Sequence, residues 1–126
     1  MNYDEARSYL ASKPDAVEDF PFGPDVRVFR IGGRLFALLM TRHGQDQVNL
    51  KCDPEEALAL RDIFDAVLPG YHMNKAHWNT VLLDGSIPRG EIERMMDRSY
   101  ALVVRSLRKA ERIALEVRYG RESLYR

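Results

Sequence analysis

Two runs rich in β-branched, aromatic and leucine residues, at 26–31 (VRVFRI) and 34–40 (RLFALLM), are separated only by Gly32 and Gly33. A two-residue connection between strand-like segments predicts a β-hairpin, because such a turn needs positive φ and glycine supplies it without steric cost. The chain is thereby directed toward an antiparallel sheet. A third segment, 47–52 (QVNLKC), alternates Val48, Leu50 and Cys52 with Gln47, Asn49 and Lys51. Period-two alternation predicts an apolar and a polar face, as in an antiparallel sheet with one wet side.

Helix signals surround these strands. Asn2 and Glu5 have the spacing of a capping box, followed by Tyr3, Ala6 and Leu10 on one face. Asp53 as N-cap, Pro54 at the first helical position and Glu56 three residues after the cap predict a second helix, with Ala57, Leu60, Phe64 and Val67 turned inward. Pro88 marks the start of a third, whose apolar positions from Ile92 to Leu107 keep helical spacing, with acidic residues early and basic ones late. The run VEDFPFGPDV reads as irregular, with Phe20 and Phe22 anchoring it to the core, and 77–83 reads as a strand. The expected fold is α+β: an antiparallel sheet with helices packed on one face, forming one domain over residues 1–107. Residues 108–126 hold six basic and three acidic side chains. They read as a basic C-terminal extension, either helical through Ala110, Ile113 and Val117 or partly disordered.

Composition narrows the function classes. A chain of 126 residues with 45% hydrophobic and 30% charged side chains is an ordinary globular domain that needs no disulfide or metal to hold it together. It has no apolar run of membrane-spanning length, and MNYDEARSYL lacks the order of a secretory signal, so a cytoplasmic location is expected. The formal net charge is zero, which removes the argument for nucleic-acid binding from a strong overall field, and any such binding must be local. His72 and His77 are five apart, a poor chelating spacing on either a helix or a strand, and no HExxH or CxxC occurs, so no metal and no cofactor is expected. No GxSxG elbow or phosphate-binding glycine loop is present. Cys52 reads as a small buried apolar side chain, although a thiol at a helix N-terminus can also be activated.

The stretch that invites chemistry is PGYHMNKAHWNTVLLDG, residues 69–85, which carries His72, Asn74, Lys75, His77, Trp78 and Asn79. On a strand, Lys75, His77 and Asn79 share one parity, and Gln47, Asn49 and Lys51 form a second polar row. If the two strands are neighbours, these side chains make one electropositive plate suited to phosphates and base edges. The alternatives are a plain solvated sheet face and a core role for Trp78. The loop TRHGQD, with Arg42 and His43 at its tip, is a candidate projecting wing.

DFPFGPDVRVF, GGRLFAL, VNLKCDPE and the long 69–85 block, in this order and spacing, resemble the MmcQ/YjbR family of small bacterial proteins. The resemblance runs from the first helix to about Leu107. It implies a CyaY-like (frataxin-like) α+β fold, described as a double wing, and a DNA-binding label that rests on fold analogy alone. It points to His72, Asn74, Lys75, His77, Trp78 and Asn79, with Asn49 and Lys51, while Ala76 stands where the family pattern suggests another basic residue. Frataxin-like iron binding needs a dense acidic ridge, and the first helix offers only Asp4 and Glu5 beside Arg7. The expectation is a monomeric, non-enzymatic DNA-binding module in which Arg42, Lys51 and Lys75 contact phosphates and Asn49, His77 and Asn79 hydrogen-bond nearby groups. A module for a small ligand or protein partner is the alternative, using the same patch or a concavity beside Trp78. An enzyme is the third option.

Overall fold

A computed structural model describes all 126 residues. Six strands, β1 (Val17–Asp19), β2 (Val26–Ile31), β3 (Arg34–Arg42), β4 (Gln45–Lys51), β5 (Val67–Pro69) and β6 (Trp78–Leu82), form one antiparallel sheet in the order β1-β2-β3-β4-β6-β5. The helices are α1 (Tyr3–Ala11), α2 (Pro54–Ile63), α3 (Arg89–Ser106), α4 (Lys109–Tyr119) and α5 (Arg121–Leu124). They cover one face of the sheet, as the α+β reading requires. No helix is long and apolar enough to cross a membrane.

Local chemistry explains most boundaries. The Asn2–Glu5 capping box is formed: Glu5 N–H donates to Asn2 Oδ1 at 2.8 Å and Asn2 N–H to Glu5 Oε1 at 3.0 Å. Gly32 and Gly33 both have positive φ in the β2–β3 turn, and a Cβ on Gly32 would lie 2.7 Å from the Leu107 side chain, so glycine fits here without strain or a shift of Leu107. The β2–β3 register slips by one residue, pairing Phe29 with Ala37 but Arg30 with Leu35. This bulge turns the sequence neighbours Phe36 and Ala37 both toward the helices. Phe36 packs there edge-on against Tyr100 at 5.2 Å.

Buried polar groups tie the helices down. Ser99, on α3, donates its hydroxyl to the Phe36 carbonyl at 2.6 Å and accepts the Lys51 N–H at 2.8 Å, sealing the β3–β4 ladder where it ends. Lys13 is buried just beyond α1, its ammonium 2.8 Å from Asp97 on α3 and 5.0 Å from the Tyr100 ring centre. The Tyr9 hydroxyl donates to the same Asp97 oxygen at 2.8 Å.

Several expectations are corrected. α2 stops at Ile63, and Val67 belongs to the short strand β5 rather than to a helical stripe. Asp53 makes no side-chain capping bond. The 17–26 run holds a further strand, β1, and both Phe20 and Phe22 are exposed instead of anchored. Residues beyond Leu107 are helical, but the inward side is Leu115 and Leu124, which join the main core, while Ile113 and Val117 face outward.

Candidate binding face

The two polar rows predicted to form one plate do lie on adjacent strands, but their parity is opposite. In the β4–β6 register Asn49 faces Thr80, Lys51 faces Trp78 and Gln47 faces Leu82. The polar row of β4 therefore shares the outer, helix-free face with Trp78 and Thr80, while Asn79 points to the helices. Gln47 and Asn49 are each 1% exposed and Asn79 2%. The single plate does not exist.

Internal bonds account for most of this burial. On the outer face, Tyr71 N–H donates to Thr80 Oγ1 at 2.8 Å, Thr80 Oγ1 donates to Asn49 Oδ1 at 2.6 Å, and Asn49 Nδ2 donates back to the Tyr71 carbonyl at 3.0 Å. This closed ring fastens the 70–77 loop across the sheet. Gly70 permits the approach, because a Cβ there would meet Trp78 Cβ and its carbonyl oxygen at 2.8 Å. On the helix face, Asn79 accepts from Arg61 Nε at 2.7 Å and donates to the Ala57 carbonyl at 3.3 Å. Arg61 also donates to the carbonyls of Lys75 and Trp78, clamping the loop from α2. No sequence pattern singled out Arg61, since an arginine on the flank of an amphipathic helix looks like any solvated one.

The other candidates divide similarly. Asn74 caps its own turn by accepting the Ala76 N–H at 2.9 Å, and Lys75 Nζ donates to the Gly70 carbonyl at 3.0 Å. The His77 side chain is exposed, and its carbonyl receives the Cys52 N–H at 2.8 Å. Lys51 is half-buried. Trp78 is buried in a small outer-face cluster with Val28, Leu38 and Met40. His72 is exposed at positive φ, its ring 4.0 Å from that of Tyr71. Arg42 lies half-buried with its guanidinium 4.0 Å over the opposite partner of that pair, the Tyr71 ring.

Beside this cluster the outer face opens into a cleft of about 290 Å³, lined by Phe22, Val26, Leu38, Met40, Tyr71 and Met73. Asn49 and His72 supply its polar edge. The 62% exposure of Phe22, expected in the core, makes it a free wall of this cleft. Cys52 lies elsewhere, on the helix side, beside a void of about 10 Å³ that it shares with Glu56 and holds one water at most. Burial first, then the Glu56 and Asp53 carboxylates, push its thiol up to about 11. No cluster of three His, Cys, Asp or Glu side chains suited to a metal ion is present.

The family model described as YjbR matches residues 11–102. The chain belongs to the YjbR family. It is 35% identical over 112 residues to the uncharacterised protein YjbR of Escherichia coli K12, covering 89% of this chain and 95% of that one. It is 39% identical over 92 residues to the uncharacterised YbdF of Escherichia coli O157:H7, covering 73% and 75%. Among solved structures, Deinococcus radiodurans DR2400, titled a DUF419 domain, superposes with a TM-score of 0.81 at 38% identity, over 89% of this chain and 86% of its own. A Pseudomonas syringae protein gives 0.73 at 34% identity, over 82% and 99%.

Proposed function

We propose that this YjbR-family chain is a non-enzymatic binding module whose recognition site is the outer-face cleft, and that the cleft takes a small ligand with an apolar body. The carrying observation is the cleft's lining. Six apolar side chains from the 20–24 turn, β2, β3 and the 70–77 loop converge on about 290 Å³ of open space, on the one sheet face that no helix covers. Small-molecule sites are concave, mostly apolar and edged by a few polar groups, and this cleft meets each criterion. The raised thiol of Cys52, with no room beside it for a substrate, argues against nucleophilic catalysis there. Titration with the neutral probe 3-phenylpropan-1-ol tests the reading. Saturable binding that Phe22→Ser weakens supports it; no binding, or binding indifferent to Phe22→Ser, overturns it.

A second reading, DNA binding, draws on a different observation. Eleven ion pairs neutralise cations elsewhere on the molecule, yet none involves Arg42, Lys51 or Lys75, or any histidine. Those uncompensated groups would serve phosphates rather than bases, since Asn49 and Asn79 are buried. Anisotropy titration with random duplex DNA at about 50 and 200 mM salt separates the two readings, because phosphate-driven binding falls by orders of magnitude across that range.

A further inference from the structure

We propose that the outer-face cleft selects a small carboxylate with an apolar tail, and that Arg42 and Gln47 receive the carboxylate. The inference rests on the cleft being the recognition site and adds the chemistry at its end.

Arg42 and Gln47 stand on the outer face just behind the cleft wall formed by Met40 and Tyr71, and neither lines the open space itself. Met40 is the cross-strand partner of Gln47 and lies two residues from Arg42 on the same face of β3. The Arg42 guanidinium stacks on Tyr71, which itself lines the cleft. Both side chains carry unmet donors. Arg42 Nε and Gln47 Nε2 are buried with no hydrogen-bond acceptor, and no carboxylate pairs with Arg42.

A buried donor without an acceptor is costly, and two such donors, Arg42 Nε and Gln47 Nε2, on adjacent strands of one face call for the same partner. Neighbouring polar groups do not supply it. Asn49 and Thr80 spend their hydrogen bonds on each other and on Tyr71. Asp46 accepts from Thr41, whose parity places it on the other side of β3. An anionic oxygen entering from the cleft would satisfy an arginine stacked and pre-oriented for it, and the apolar lining would hold the rest of the molecule.

The test compares 3-phenylpropionate with 3-phenylpropan-1-ol by isothermal titration, with wild-type protein and with Arg42→Gln and Gln47→Met. Charge-assisted hydrogen bonds predict that wild type prefers the acid by about tenfold or more. Arg42→Gln should abolish that preference, weakening the acid far more than the alcohol. Gln47→Met, which replaces an unsatisfied amide by an apolar group of similar shape, should fold at least as stably and lose part of the preference. Equal affinity of wild type for acid and alcohol, or a preference that survives both variants, overturns the carboxylate assignment and leaves the cleft reading standing. Failure of both probes to bind overturns the two together.

Discussion

Twenty-six buried residues form the core on the helix side of the sheet, whereas the outer face buries a cluster of four, Val28, Leu38, Met40 and Trp78. The helix side is held by area and shape, with Phe36 between Phe29 and Tyr100 and polar groups such as Ser99 and Lys13 fully engaged. The outer side is held by the hydrogen-bonded ring of Tyr71, Thr80 and Asn49, and it keeps an open apolar cleft and two unmet donors. The two faces thus differ in how they are built: close packing fills the helix-side core, whereas the outer face keeps an apolar cleft that no helix covers.

The contrast makes graded predictions. Asp97→Ala leaves the buried Lys13 ammonium without its partner and removes the acceptor of the Tyr9 hydroxyl. Urea unfolding should show a loss of about 3–5 kcal/mol. Asn49→Ala, on the outer side, breaks the ring without opening the main core. It should cost about 1–3 kcal/mol and speed hydrogen exchange at the Tyr71 amide well before the β3 amides respond. If the two substitutions cost the same and exchange rises everywhere, the faces are not held by different means.

Phe22→Ser should change stability by no more than about 0.5 kcal/mol, as for other exposed positions, while weakening probe binding in the cleft. At neutral pH the smallest effect belongs to Cys52, whose thiol ionisation matters to stability only in alkali. Its folded-state thiol is raised, so its contribution is present below the unfolded value and is lost as pH rises from about 9 through about 11. Stability should decline over that window in wild type and less in Cys52→Ala. At pH 8 the native thiol should react with a disulfide reagent far more slowly than the unfolded chain does.

What the sequence made legible was local. The Gly32–Gly33 hairpin, the Asn2–Glu5 cap and the long α3 stripe each depend on residues a few positions apart, and all three are formed. The face on which Asn79 lands depends instead on how β6 registers against β4 across the intervening α2 and β5. Because side chains alternate, parity within each strand said nothing about parity between them, and Asn49 and Asn79 ended on opposite faces. Lys13 gave no warning of burial, since its partner Asp97 is 84 residues away. In the 69–85 block, much of the polarity serves to fold a loop onto the sheet. The cleft that this loop helps to wall was hidden because Phe22 read as a core anchor.

Amide chemical-shift mapping of the ¹⁵N-labelled protein with 3-phenylpropan-1-ol is the decisive test of the cleft as a binding site. Saturable shifts are expected at Val26, Leu38, Met40, Asn49 and residues 71–73, with α2, Lys75 and His77 silent. Shifts confined to Lys51, Lys75 and His77 on addition of duplex DNA, with the cleft unmoved by the probe, would contradict it.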